Sequence, residues 1–125
     1  MRSTLSLLAA LALSACATLP AAAPVRGDGF AFLGQSTRVG SFIVTPQAVV
    51  EDSRCPINAR CVWAGRLVLT TDIKGSGWQE VRNLTLGEPA ALHGTTLSLT
   101  SAEPGKLAGE QAPAVPTTFG FEGGR

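Results

Sequence analysis

Short runs rich in Val, Ile, Thr, Leu and Phe, punctuated by Gly, Pro and Asn, fill the chain from residue 29 to about residue 121. Within them apolar and polar positions alternate, the two-residue period of strands with one buried face. No window carries a 3.6-residue apolar period over three turns, so the pattern predicts an all-β domain. The first strand falls at 30–39, with Phe30, Phe32 and Gly34 on one face. A second at 42–50 is interrupted by Pro46, which marks a bulge or an edge. The strongest runs over 62–73: Trp63, Leu67, Leu69, Thr71 and Ile73 share one face, and Val62, Arg66, Val68, Thr70 and Asp72 share the other. Residues 74–77 read as a turn, because glycine supplies positive φ. The strand 78–86 returns as a hairpin partner. After a turn at 87–89, the strand 92–100 pairs next, with Leu97 and Leu99 inward. Residues 103–116, heavy in Pro, Gly and Ala, are a loop, and 117–121 adds a last strand through Phe119 and Phe121. Six to seven short strands with turns between them predict a small antiparallel β-sandwich or a partly open barrel.

The first 15 residues break this pattern. Arg2 is followed by an apolar run over 5–13, too short for a spanning helix, which needs roughly 20 residues. It reads as an export signal. It ends in Leu13-Ser14-Ala15-Cys16, which resembles the bacterial lipobox, whose cysteine becomes the lipidated N-terminus. The resemblance implies a lipid anchor on Cys16. Ala17, rather than Asp, follows it, which implies the outer membrane, facing the periplasm. Residues 16–28 form an Ala/Pro-rich tether, at most about 35–40 Å when extended and about 20 Å as a coil. Residues 29–125 are one domain, small enough to profit from a covalent staple.

That staple is predicted in 51–65, E-D-S-R-C-P-I-N-A-R-C-V-W-A-G. Cys55 and Cys61 are six residues apart. A tight reversal can bring them to the roughly 4.4–6.8 Å between Cα atoms that a disulfide needs. Asp52 and Ser53 favour a turn, Pro56 keeps Cys55 out of helix, and Asn58 tolerates the left-handed conformation of a reversal point. The rival, a zinc site, lacks ligands at workable spacing, and no metal or cofactor is expected. An exported protein favours the disulfide. With Cys16 lipidated, no thiol of the three is left over.

The block Asp52-Ser53-Arg54-Cys55-Pro56, then Cys61, Trp63, Ala64 and Gly65, resembles a D-S-R-C-P-x4-C-x-W-A-G motif of small, mostly uncharacterised bacterial secreted proteins and lipoproteins. The resemblance spans about a tenth of the chain. It implies a β-rich fold and an envelope location, and carries no activity.

Charge narrows the partners. Ten Lys and Arg face nine Asp and Glu, and loss of Arg2 with the signal balances them. A near-neutral domain lacks the basic footprint of nucleic-acid binding. The chemistry is sparse as well. His93, the one histidine, sits in a turn-like Leu-His-Gly and has no nucleophile placed beside it. Glu51 and Asp52 are neighbours whose side chains point to opposite faces of a strand. Neither glycine pair, 27–29 nor 75–77, opens a helix as a phosphate loop requires. Asn83-Leu84-Thr85 matches a glycosylation sequon, of little meaning behind a bacterial lipobox.

The expectation is therefore a non-enzymatic envelope lipoprotein, with no catalytic residues. Arg54, Asn58, Arg60 and Arg66 around the stapled loop are the candidate partner-binding residues, for an envelope protein or polymer. In the alternative, Arg54 and Arg66 pair with Glu51, Asp52 or Asp72. Trp63 is expected in the core. The other functions that the sequence leaves open are a small-ligand-binding β domain, a protease inhibitor presenting Arg60 or Ile57-Asn58, and an envelope hydrolase using His93, Glu51 or Asp52.

Overall fold

The computed structural model describes residues 23–105 and 115–125. The export signal, Cys16, most of the tether and part of the 103–116 loop lie outside the described residues. Eight strands and no helix occur among the described residues: β1 (Phe30–Ala31), β2 (Thr37–Val39), β3 (Phe42–Asp52), β4 (Leu67–Gly75), β5 (Trp78–Thr85), β6 (Pro89–Leu92), β7 (Thr95–Glu103) and β8 (Thr118–Gly123). They form two four-stranded antiparallel sheets, ordered β2-β3-β4-β5 and β1-β8-β7-β6. The all-β fold read from the alternation is what forms, and of its two alternatives, sandwich and partly open barrel, the two sheets make the sandwich.

The core is one cluster between the sheets. Val39, Phe42, Val44, Leu67, Leu69, Ile73 and Leu84 come from the first sheet; Leu92, Leu97, Leu99, Ala102, Phe119 and Phe121 come from the second. The inward faces expected of β4, β7 and β8 are the observed ones. β3 takes two register shifts, at Pro46/Ala48 and Val49/Glu51. Pro46 thus marks a bulge, where a residue without an N–H costs no ladder bond.

Two expected strands are each divided. Gly34, with φ of +81°, bends the 30–39 run, and its N–H bonds the Pro46 carbonyl at 2.7 Å. β1 therefore joins one sheet and β2 the other. The inward residue of β1 is Ala31, not Phe30, which stays exposed with its ring against Gly120. Downstream, His93 (φ +48°) and Gly94 (φ +82°) form the two-residue turn of a β6–β7 hairpin, the handedness such hairpins require. The strand expected over 92–100 thus loses Leu92 to β6, which starts at Pro89 where a turn was expected, and forms as β7 from Thr95. It does not pair with β5, because the chain changes sheets first. The Leu86 N–H bonds the Leu67 carbonyl at 2.9 Å, and the next N–H, of Gly87, bonds the Leu99 carbonyl of the other sheet at 2.9 Å.

The β4–β5 hairpin turns at Ser76-Gly77, as expected, and the Trp78 ring packs over Gly75. At the same end Gly124 laces the sheets together. Its N–H bonds Thr96 at 2.9 Å, and its carbonyl accepts the Ser41 N–H and hydroxyl, both at 2.8 Å.

Candidate functional site

The β3–β4 hairpin does not stop where its strands end. Ser53 N–H bonds the Arg66 carbonyl at 2.9 Å, and Cys55 N–H bonds the Ala64 carbonyl at 3.1 Å. Ser53 Oγ accepts the Arg66 N–H at 3.0 Å. These bonds continue the β3–β4 register outward as an arm, closed by the predicted disulfide. Cys55 and Cys61 lie 5.8 Å apart between Cα atoms. Inside the ring the chain reverses through Ile57-Asn58, with Ala59 N–H bonded to the Pro56 carbonyl at 3.1 Å. Asn58 is at the reversal, as expected, but without positive φ; in the arm that conformation belongs to Gly65, at +67°.

Gly65 corrects the reading of Trp63. A residue with φ of +67° cannot sit in a strand, so β4 begins only at Leu67. The alternation that places Leu67, Leu69, Thr71 and Ile73 inward does not run back to Trp63. Trp63 is 81% exposed, Val62 93% and Ile57 74%. The tip thus carries three large apolar side chains in solvent, an arrangement that marks an interaction surface more often than a lone exposed Leu does.

The arginines divide into two groups. Arg54 grips Asp52 with both ends of its fork, Nε to Oδ1 at 2.9 Å and Nη2 to Oδ2 at 3.1 Å. Its Nη1 donates to the Ala102 carbonyl at 3.2 Å, on β7 of the other sheet. The Asp52 hydrogen bonds raise the Arg54 pKa further, so the guanidinium is always charged. Arg66 donates to Glu51 along the side of the arm. Arg54 and Arg66 thus fix the arm: one ties it to the second sheet, the other cross-braces its two strands. Arg60 is exposed on the ring and has no ion-pair partner among the described residues. It lies in the same ring as Ile57 and two residues from Val62. Ile57 reaches back toward Gly105, just past the end of β7. The arm is therefore held at its root and its tip is free of charge balance.

The acid–base candidates are dispersed. Glu51 and Asp52 each bond a different arginine rather than one another. His93 stacks on Trp78, ring centroids 3.9 Å apart and 15° from parallel. Its Nε2–H donates to Glu80 Oε1 at 2.8 Å, since a carboxylate can only accept. That bond is the chief cause that holds the Glu80 pKa below the usual glutamate range. No group of three or more metal-ligating side chains occurs among the described residues. Asn83 accepts the Thr70 hydroxyl across the β4–β5 ladder at 2.9 Å. Between the sheets Leu69, Ile73, Leu97 and Leu99 have no exposed surface, so the space that an interior ligand would need is occupied by side chains.

No family model, no curated protein and no solved structure matches the chain.

Proposed function

We propose that this protein is a lipid-anchored envelope lipoprotein whose β-sandwich is a non-enzymatic binding module, and that the disulfide-closed tip is its recognition element for a protein partner. The export signal and the lipobox-like sequence before Cys16 supply the anchor, in the outer membrane and facing the periplasm. The observation that carries the reading is Trp63, 81% exposed on an arm that is covalently and electrostatically fixed. Trp and Arg are the residues most often found at the energetic centre of protein interfaces. Trp63, Val62 and Ile57 would supply the apolar contact, and Arg60 a charge not spent within the domain. Asn58 lies at the crest of the ring. A rigid arm loses little conformational entropy on docking, so more of the contact energy appears as affinity. A binding role is favoured over a catalytic one because Glu51, Asp52 and His93 spend their polar atoms on structural bonds.

The test is site-specific photo-cross-linking in the native envelope. One cross-linker replaces Asn58 at the crest, and a control replaces Ser76 in the β4–β5 turn. A discrete protein adduct at 58 and not at 76, lost when Trp63 is changed to Ala, is the expected result. Equal labelling at both positions, or none at 58, would discard the tip as a recognition site.

A further inference from the structure

An edge strand shows a row of unpaired N–H and C=O groups to its surroundings. Among the described residues, three of the four sheet edges are short. β1 has two residues, β2 three and β6 four, the last starting at Pro89, which has no N–H. β2 is also covered in part by the bridge from Arg26 to Thr37. The fourth edge, β5, runs for eight residues with no Pro, no Gly and no register shift against β4. Val81, at its middle, is 58% exposed.

Register decides which backbone groups of β5 are open. Gly75 and Trp78 flank a two-residue turn and face each other, so they exchange hydrogen bonds. Every second residue after Trp78 then also bonds β4: Glu80, Arg82 and Leu84, and beyond the strand Leu86, whose N–H meets the Leu67 carbonyl at 2.9 Å. The N–H and C=O groups of Gln79, Val81 and Asn83 point the other way, into the open edge.

We infer that β5 pairs antiparallel with β5 of a second copy of this chain, about a two-fold axis at Val81. The interface is self-complementary, as a two-fold dimer requires. Val81 meets the copy's Val81 and exchanges backbone hydrogen bonds with it. Glu80 stands opposite the copy's Arg82, and Arg82 opposite the copy's Glu80. Opposite charges so placed attract, and like charges repel. Arg82 reaches its own Glu80 at 3.4 Å, long for a charge-assisted bond, which leaves most of its donors unspent. Gln79 faces the copy's Asn83. Gln79 donates its amide N–H to Asp72 at 2.8 Å, and Asn83 accepts the Thr70 hydroxyl at 2.9 Å. What remains includes the Gln79 oxygen and the Asn83 N–H groups, an acceptor facing a donor. A charged edge ordinarily guards against pairing. Here registers centred on Glu80 or on Arg82 would set two glutamates or two arginines opposite each other, and the register at Val81 sets unlike charges opposite. The sequence of β5 thus favours its own copy, in one register, over an arbitrary strand. None of these residues belongs to the proposed recognition tip, so either inference can fail without the other.

The test is a cysteine trap on the purified full chain in detergent. Facing Cα atoms in such a hydrogen-bonded pair lie about 5.5 Å apart, inside the roughly 4.4–6.8 Å that a disulfide spans. Val81→Cys, oxidised at micromolar concentration, should give a disulfide-linked dimer on a non-reducing gel. The unsubstituted chain should stay unlinked. So should Val50→Cys, on β3, whose valine is also 58% exposed. Adding Arg82→Glu to Val81→Cys should slow linking by about tenfold or more, because two carboxylates then face each other twice. Adding Arg82→Lys, which keeps the charge, should not. Val81, Val50 and Arg82 are exposed, and an unchanged melting curve shows that each variant is folded. Four results would overturn the inference. One is no linked dimer with Val81→Cys. Another is equal linking of Val50→Cys, which would mean random collision. The third is linking that ignores Arg82→Glu, which would refute the register. The last is equal slowing by Arg82→Lys, which would remove the role of charge.

Discussion

Trp63 owes its exposure to Gly65. The glycine takes a positive φ, and a Cβ at that position would run into the Ser53 carbonyl across the arm. Only glycine fits there, and its positive φ breaks the alternation of faces, so the indole is released from the apolar face that begins at Leu67 although backbone pairing continues to Ala64. A core tryptophan changed to Ala costs about 3–5 kcal/mol. Trp63→Ala should cost less than about 0.5 kcal/mol, the usual range for a surface site, and a thermal melt decides between the two. The same change should weaken partner binding by about 2 kcal/mol, roughly thirtyfold. Much of this region is legible from its residues. Pro56, Asn58 and the cysteine spacing predict a reversal closed by a disulfide, and both are there. Alternation picks out Leu67, Leu69, Thr71 and Ile73 correctly, because each is a strand residue. It fails at Trp63 because a period counts positions, whereas a single glycine with positive φ resets the count. The signal was in the sequence: a glycine inside a predicted strand weakens that assignment. The roles of Arg54 and Arg66 were open, since ion pairing with the neighbouring acids depends on which side of the arm each faces.

Among the elements, the arm is joined to the sandwich through Arg54 and Ala102 but contributes no residue to the core cluster. Its disulfide should therefore act on stability through the unfolded chain, by closing a short loop. Changing Cys55 and Cys61 together to Ser should cost about 2–2.5 kcal/mol. That corresponds to a melting temperature lower by roughly 10 °C for a domain of this size, with the sandwich still folded by circular dichroism. A second inter-element tie joins the β4–β5 strand pair to the β6–β7 turn, where His93 bonds Glu80 and stacks on Trp78. Trp78 in turn meets Phe42 edge-on at 5.3 Å. The folded state holds Glu80 more acidic than the unfolded chain does. The bridge is therefore fully present above the usual glutamate range and is lost as pH falls through the lowered value of the folded state. The melting temperature of Glu80→Gln should lie below that of the unsubstituted protein at neutral pH, and the gap should close in acid. Melts at a series of pH values read it directly, and a gap that does not change with pH would exclude this linkage. The two hairpins differ in how visible they were. Ser76-Gly77 carries a turn residue of the expected kind. His93-Gly94 reads as turn-like, but a histidine at positive φ is less usual than Gly or Asn, and the short β6 before it, which begins at Pro89, is not read as a strand.

At the scale of the whole molecule, the alternating pattern establishes an all-β chain but neither chooses between a sandwich and a barrel nor says which strand belongs to which sheet. The exchange between sheets occurs over two residues, Leu86 and Gly87, and leaves no change in period. Nor does the alternation announce Gly124, which joins the β2–β3 turn to β7 through three hydrogen bonds. The core cluster, this lacing and the arm all lie between residues 23 and 125. Lipid at Cys16 would then govern where the domain acts without governing how it folds. A diacylated N-terminus holds a protein at a bilayer stably, because more than one chain is needed to do so. In cells, unsubstituted protein should incorporate labelled palmitate and sediment with the outer membrane. Cys16→Ser should take up no label and appear in the soluble periplasmic fraction. After purification its melting temperature should match that of the lipidated protein to within about 2 °C, the shift that a few tenths of a kcal/mol would give. Label on the Cys16→Ser variant, or its continued sedimentation with the membrane, would locate the anchor elsewhere. The arm would then have to be tested as a membrane contact, since its exposed Trp63, Val62 and Arg60 are the next groups able to make one.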